Sequence, residues 1–365
     1  MRQPKTNTKL ALLVLSLFCA VLVTGCSDSG TINQNSFVSA AGIATPSGAN
    51  STAQAAVSTD WVVGTSPGSA ASTPVPNTPT PAPKPTSTPV PTPTPYPTPK
   101  LKIPLVGAAT PVDFTGKGQV VERQFYSNNL KKNVSYRIYL PQGYNSAAKR
   151  YPVLYMLHGF SGKIDEWMWY GIMGRVDDLI SSGKIKPMLV VLPQGDQEYW
   201  VDHPNDGLKW GAYTAHEVVD HIDGNYKTLP LKGSRAIGGL SMGSTGALQL
   251  VMNYPGIFGV VGAHSPAMRT FDQKLPWWGD EDWYAKTDPV TLAKTSDALN
   301  DIKLWIDVGA NDSAWRARVL EFKQILEDRK IPFTYTEWPG DHNGDYWTAH
   351  MVDYLNYYGS ALSFG

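Results

Sequence analysis

The motif with the clearest chemical meaning in this sequence is Gly239-x-Ser241-x-Gly243. It follows the apolar run RAIGGL and precedes small residues that are typical of a helix start. In such a strand-turn-helix context a strained turn projects the serine hydroxyl outward, and the two glycines leave room for the chain to reverse. The spacing alone is weak in a chain with 33 glycines, so its placement carries the argument. We predict that Ser241 is a nucleophile in acyl chemistry.

A serine at its ordinary pKa is a poor nucleophile, so it needs an imidazole base and a carboxylate that orients the base. The partners of a serine in this context follow in the order serine, acid, histidine, each just past a strand. Three histidines follow Ser241, namely His264, His342 and His350. His264 has no strand-end acid ahead of it, and His350 lies inside the last predicted helix. His342 follows the predicted strand FTYTEW and is therefore our predicted base.

The carboxylate that best suits this base is Asp312, which follows the predicted strand IKLWIDV in the segment GANDS. An alternative role for Asp312 is the N-cap of a helix that begins near Ala314. Asp307 is the nearest rival, but it lies within the strand. Asp341 and Asp345 flank the base in sequence and remain minor alternatives, because direct neighbours rarely aim at one imidazole. We predict that Asp312 orients His342.

Attack on an ester carbonyl also requires donors for the developing oxyanion, commonly backbone N–H groups. One donor is expected from Met242, directly after the nucleophile. The other is expected from Phe160, in the loop after the strand YPVLYMLHG. His158 in the same loop is interpreted as structural, with its ring bonded to nearby backbone.

Short apolar runs alternate with amphipathic stretches through most of the chain after about residue 150, which predicts an α/β fold with a doubly wound, mostly parallel sheet and helices on both faces. An antiparallel pair, VVERQFYS and VSYRIYLP, precedes this region. The predicted helices run from Ile172 to Ser182, Ala212 to Tyr226, Gly243 to Asn253, Ala314 to Arg329 and Tyr346 to Tyr358. Ligands of such sheets bind at the carboxyl ends of the strands, where the candidate residues stand.

The motifs LHGFSG, DEW, VVLPQG, GGLSMGSTGAL, DVGANDS and GDHNGDYW occur in this order between Gln119 and Leu362. This pattern resembles the esterase D-type esterases of the α/β-hydrolase superfamily, which include feruloyl esterases, S-formylglutathione hydrolases, enterochelin-type esterases and mycolyltransferases. The resemblance implies an α/β-hydrolase fold, the catalytic triad Ser241, Asp312 and His342, and the oxyanion amides of Phe160 and Met242. It implies no cofactor.

We expect no metal either. His216 and His221 stand five residues apart, which places them about 140° apart on a helix and not on one metal-binding face.

The expected activity is hydrolysis of carboxylic esters through an acyl-serine intermediate, with feruloyl or other carbohydrate-linked esters as substrates. An acyltransferase of the mycolyltransferase kind, which moves an acyl group to a sugar, remains an alternative. A noncatalytic surface module that binds glycans is a further one. Predicted site-side loops are rich in tryptophan, and aromatic surfaces suit a phenolic group or a sugar face. Trp167, Trp200, Trp315 and Trp347 are the predicted substrate contacts.

The N-terminal region predicts export. Residues 1–25 combine basic residues with the apolar run LALLVLSLFCAVLV and read as a signal peptide. The sequence VTGC resembles a bacterial lipobox, in which Cys26 would carry a lipid and attach the protein to a membrane or cell surface. Residues 26–100 are rich in Ser, Thr and Pro and predict a disordered stalk. Residues 101–365 are the predicted esterase domain, and the balance of 31 basic and 31 acidic residues argues against a nucleic-acid partner.

Overall fold

The computed structural model describes residues 102–364. The predicted signal peptide, the predicted lipid attachment at Cys26 and the predicted stalk to residue 100 lie outside the described residues and stay predictions. Within residues 102–364, no helix has both the length and the apolar character needed to cross a membrane.

A nine-stranded mixed sheet is the centre of the described part of the chain, in the order β1-β2-β3-β5-β4-β6-β7-β8-β9. The strands are β1 Val106–Pro111, β2 Gln119–Ser127, β3 Lys132–Leu140, β4 Val153–Leu157, β5 Leu189–Pro193, β6 Arg235–Ser241, β7 Val260–Pro266, β8 Lys303–Gly309 and β9 Thr334–Trp338. The strands β1, β2 and β3 form an antiparallel meander, and β3 pairs antiparallel with β5. From β5 to β9 every neighbouring pair is parallel.

Ten α-helices accompany the sheet in residues 102–364. They are α1 Glu166–Trp169, α2 Ile172–Ser181, α3 Trp210–Ala212, α4 Val219–Asn225, α5 Met242–Asn253, α6 Glu281–Ala285, α7 Pro289–Ala293, α8 Arg316–Asp328, α9 Gly344–Ala349 and α10 Met351–Ala361. A π-helical stretch, Tyr213–Val218, joins α3 to α4. Four short 3₁₀ helices lie at Lys232–Ser234, Phe271–Gln273, Pro276–Trp278 and Ala298–Asp301.

Each face of the sheet has its own hydrophobic core, because successive side chains of a strand point to opposite faces. On β4, Leu154 and Met156 pack in the cluster that includes α2 and α10. Tyr155 and Leu157 pack in the cluster that includes α4, α5 and α8. All five residues of β4 are buried, as expected of a parallel strand covered on both faces. The predicted α/β fold with helices on both faces is confirmed.

Two predicted helices differ from the structure. The stretch predicted from Ala212 to Tyr226 includes a π-helical turn, where the Thr214 hydroxyl donates to the Trp210 carbonyl, a side-chain bond that competes with the regular ladder. The last predicted helix is two helices that meet at His350, whose ring stacks on Trp338 with ring centroids 3.9 Å apart. The hydrophobic periodicity of the sequence predicts neither the π-helical turn nor the break at His350.

Strand register places the carboxyl ends of the central strands side by side. Leu157 of β4 pairs with Gly239 of β6. Gly309 of β8 pairs with Trp338 of β9. The loops that follow these strands therefore meet at one edge of the sheet, which is where open α/β sheets bind ligands.

Candidate active site

Ser241 is the last residue of β6 and immediately precedes α5. Its backbone has φ 54° and ψ −117°, a conformation that non-glycine residues rarely adopt. Such a conformation costs about 1–3 kcal/mol and persists only where the surrounding structure enforces it. The turn leaves Ser241 partly exposed between a buried strand and a buried helix.

The two glycines of the motif are required by close backbone contacts. A β-carbon on Gly239 would lie 2.3 Å from the carbonyl carbon of Gly243. A β-carbon on Gly243 would lie 2.2 Å from the carbonyl oxygen of Leu157, at the end of β4. Both contacts are with backbone, which cannot move aside without displacing the sheet. Glycine at both positions thus allows the sharp reversal of the chain at Ser241.

Three side chains predicted to act together lie in one hydrogen-bonded line. The Nε2 atom of His342 lies 2.8 Å from the Oγ atom of Ser241. The Nδ1 atom of His342 lies 2.8 Å from the Oδ2 atom of Asp312. The His342 side chain is 21% exposed, whereas the Asp312 side chain is fully buried. An imidazole in this position can accept a proton from the serine hydroxyl while the carboxylate fixes its tautomer.

Asp312 is stabilised as a carboxylate. Burial opposes its ionisation, but hydrogen bonds from His342 and Ser265 outweigh burial, so the pKa of the Asp312 carboxyl lies below its ordinary value. Its Oδ1 atom also accepts the backbone N–H of Trp315 at 3.1 Å, just before α8 begins at Arg316. The N-cap of α8 is Trp315, so the N-cap role that the sequence left as an alternative for Asp312 is wrong, although its Oδ1 atom binds the backbone just before the helix.

The other acids and histidines weighed from the sequence lie elsewhere. Asp307 is fully buried and its Oδ2 atom lies 2.6 Å from Nδ1 of His264. Asp341 and Asp345 are exposed. His350 lies between α9 and α10.

The residues expected to supply the oxyanion amides lie at the same edge of the sheet. Met242 is the first residue of α5. Phe160 stands three residues beyond Leu157 at the end of β4, the strand next to β6. His158 in this loop accepts the N–H of Gly195 at Nε2, so its Nδ1–H donates to the Gly159 carbonyl at 2.8 Å. Burial lowers the pKa of His158, and the structural role predicted for it is confirmed.

Sequence reasoning did not find two polar residues of this site. The hydroxyl of Ser265 donates to Oδ2 of Asp312 at 2.7 Å. The buried carboxylate of Glu166 accepts the N–H of Gly159 at 2.5 Å and so fixes the loop that carries Phe160. Burial raises the pKa of Glu166. Two sequence signals could have found them. Ser265 stands near the carboxyl end of the predicted strand that became β7, and Glu166 is the central residue of the DEW motif.

The prediction that Trp167 and Trp200 contact the substrate is wrong, because both side chains are buried. Trp167 is 1% exposed and its Nε1–H donates to the Leu157 carbonyl, while Trp200 is 0% exposed and packs on His158. Both rings therefore support the loops around the site and offer no surface to a ligand. Trp347 is 5% exposed, with its ring centroid 5.1 Å from that of His342.

Trp315 is partly exposed, with its ring centroid 6.1 Å from that of His342. It is the one of the four predicted tryptophans with a substantial exposed surface beside the candidate triad.

Among residues 102–364, no group of three or more His, Cys, Asp or Glu side chains is placed to hold a metal ion. His221 is buried, with its ring nitrogens next to the Tyr136 hydroxyl and the Ile103 carbonyl. His216 lies apart from it in the π-helical stretch, against the Tyr254 ring.

Comparison with known proteins finds relatives that are named as esterases. Esterase Rv1288 of Mycobacterium tuberculosis (strain H37Rv) is 25% identical over 253 residues, which are 60% of this chain and 54% of that protein. The chain thus spans about half the length of this relative. An endo-1,4-beta-xylanase/feruloyl esterase of Xylanibacter ruminicola is 33% identical over 153 residues, 40% of this chain and 21% of that protein.

Solved structures share the fold. A ferulic acid esterase superimposes with a TM-score of 0.62 at 25% identity, over 67% of this chain and all of the other. Residues 127–358 match the family model described as "Putative esterase", which is more than half of the 365 residues. The chain therefore belongs to this esterase family, and the matched residues form an α/β-hydrolase domain of the carboxylic ester hydrolases.

Proposed function

We propose that this protein is a serine esterase that hydrolyses carboxylic esters through an acyl-enzyme on Ser241. The observation that carries the proposal is the line of hydrogen bonds from Asp312 through His342 to the hydroxyl at the strained turn. Nucleophile, acid and base stand at or just beyond the ends of three strands, β6, β8 and β9, and their mutual distances suit proton transfer without rearrangement.

The proposed reaction has two halves. As Oγ of Ser241 bonds to the ester carbonyl carbon, Nε2 of His342 takes the hydroxyl proton, and the N–H groups of Met242 and Phe160 stabilise the oxyanion. The imidazolium then donates this proton to the departing alcohol oxygen as the ester C–O bond breaks. In the second half His342 takes a proton from water, whose oxygen attacks the acyl carbon. The imidazolium then returns this proton to Oγ of Ser241 as the bond between Oγ and the acyl carbon breaks, which releases the acid and restores the free serine. The Asp312 carboxylate stabilises the imidazolium each time.

Aromatic acyl esters attached to carbohydrate are the proposed substrates. Support comes from the feruloyl esterase relative and the ferulic acid esterase structure, together with the partly exposed rings of Trp315 and Phe160 beside the site. Transfer of the acyl group to a sugar would use the same acyl-enzyme. The ratio of free acid to acylated sugar, measured with an added acceptor sugar, separates hydrolysis from transfer.

The substitution Ser241→Ala tests the proposed nucleophile. We expect kcat for a small aryl acetate to fall at least about a thousandfold, because the covalent route is lost. Ser313→Ala is the matched control, since Ser313 is exposed, follows Asp312 directly and has no proposed role. Turnover by Ser241→Ala at the wild-type rate would contradict the proposal, whereas the control should retain full activity.

We also propose that the protein is exported and attached to a membrane by a lipid on Cys26, on the basis of the signal and lipobox patterns alone. In a bacterial host, the wild-type chain should enter the detergent phase of a Triton X-114 extract. The Cys26→Ser variant should enter the aqueous phase. Partition of both proteins into the detergent phase would contradict lipid attachment at this residue.

A further inference from the structure

The guanidinium of Arg269 lies among three aromatic rings at the edge of the candidate site. Its Cζ atom is 5.7 Å from the ring centroid of Phe160, 5.6 Å from that of Tyr199 and 5.7 Å from that of Trp315. Its Nε–H donates to the Tyr199 hydroxyl at 2.9 Å. These contacts fix the plane of the guanidinium and remove part of its hydration.

Arg269 takes part in no ion pair within residues 102–364, although most arginines there do. Those with a carboxylate partner include Arg137, Arg235, Arg316, Arg318 and Arg329. Besides the Tyr199 bond, the only hydrogen bond of this guanidinium within residues 102–364 runs from Nη1 to the Gln273 carbonyl at 3.4 Å. A guanidinium has five N–H donors and two are used here, so three donors and a positive charge without a carboxylate partner are available to a ligand.

The neighbours of Arg269 place it beside the reacting groups. Phe160 carries one of the proposed oxyanion amides, and Trp315 has its ring beside that of His342. Ala267, two residues before Arg269, donates its N–H to the carbonyl of Ser241 at 3.1 Å. The guanidinium therefore contacts two side chains, Phe160 and Trp315, that also border the candidate triad or its proposed oxyanion amides.

We propose that Arg269 binds a carboxylate of the substrate, so that the enzyme prefers esters that carry a negative charge on their acyl or alcohol part. This inference rests on the proposed esterase function. A carboxylate can accept two parallel N–H bonds from a guanidinium, a geometry that a lysine cannot offer. The flanking rings lower the local dielectric and would strengthen the pairing relative to that in water.

The test compares neutral and charged esters of matched shape on the full-length protein. On the acyl side the pair is methyl cinnamate and methyl 4-carboxycinnamate. On the alcohol side it is methyl 4-acetoxybenzoate and 4-acetoxybenzoate. We expect kcat/KM to favour the charged member of at least one pair by about tenfold, which corresponds to roughly 1.4 kcal/mol. The preference should decrease as salt is added.

Variants assign this preference to Arg269. In Arg269→Gln the preference should fall to about one, because kcat/KM for the charged ester should fall about tenfold more than kcat/KM for the neutral ester. Arg269→Lys should keep part of the preference. Arg175→Gln controls for net charge, because Arg175 is exposed on α2 and has no proposed role in the site.

Three outcomes would overturn the inference: no charge preference in either pair, a preference that survives in Arg269→Gln, or an equal loss on both esters in that variant. Failure of the proposed function is distinguishable from these, because it would appear as hydrolysis of the neutral esters that persists in Ser241→Ala.

Discussion

Asp312 shows how single residues build this site. Its buried carboxylate accepts three hydrogen bonds, from the Nδ1–H of His342, the hydroxyl of Ser265 and the backbone N–H of Trp315. A buried carboxylate without such donors would be expensive and would tend to protonate. With them it stays ionised, so it can hold one tautomer of His342 and stabilise the imidazolium that the proposed reaction creates.

The hydroxyl of Ser265 is expected to position Asp312. In Ser265→Ala one of the three donors is lost, so we expect kcat for an aryl acetate to fall about tenfold, or roughly 1.4 kcal/mol, with KM nearly unchanged. The same change in Ser360, which is exposed on α10, is the control and should have no effect. Steady-state kinetics of both variants provide the measurement, and a kcat within twofold of wild type in Ser265→Ala would contradict the positioning role.

Position relative to strand ends allowed the sequence to single out Ser241, Asp312 and His342, which the structure brings together. The same reasoning could not show that the rings of Trp167 and Trp200 are buried and therefore closed to a ligand. Burial of a large ring depends on which distant elements cover it, and local sequence does not contain that information.

Arg269 was absent from the sequence-based candidates for a related reason. Its surroundings come from Phe160, Tyr199 and Trp315, which lie in three loops far apart in sequence.

The close approach of helix α5 to the sheet sets the geometry of the nucleophile. The first turn of α5 lies against the end of β4, with no space for a side chain at Gly243. This contact keeps Ser241 at its strained backbone angles, and it also sets the position of the Met242 amide.

Two glycine-to-alanine substitutions in helices test this packing. Gly243→Ala should lower the free energy of unfolding by about 1–3 kcal/mol or more, because its β-carbon would collide with the Leu157 backbone. Gly174→Ala in α2 has nothing within 4 Å of the added carbon and should raise the free energy of unfolding by about 0.5–1 kcal/mol. Urea unfolding of both variants measures the difference. Equal effects in the two variants would contradict the close packing at Gly243.

The parallel strands were predictable as elements because buried strands read as continuous apolar runs, as in the five residues of β4 and of β5. Helix bounds agreed within about two residues for α2 and α8. The break at His350 was not predictable, since it coincides with the stacking of His350 on Trp338 of β9, a contact between separate elements.

At the scale of the whole described region, a buried polar network connects the C-terminal helices to the sheet behind the site. His264 of β7 lies between Asp307 of β8, at 2.6 Å, and the hydroxyl of Tyr358 in α10, at 2.9 Å. The Tyr346 hydroxyl of α9 donates to the other oxygen of Asp307 at 2.9 Å. This network anchors the helix that follows the His342 loop, so the position of the proposed base depends on residues from four elements.

The central claim is that Ser241 carries the acyl group, and covalent labelling tests it most directly. The full-length protein is treated with diethyl 4-nitrophenyl phosphate, which phosphorylates activated serines, and the adduct is located by mass spectrometry of peptides. Our account predicts one diethylphosphoryl group on Ser241, loss of activity in proportion to labelling, and no adduct on the His342→Ala variant at the same reagent concentration. Complete inactivation with the adduct on another residue, or full activity after stoichiometric labelling of Ser241, would contradict it.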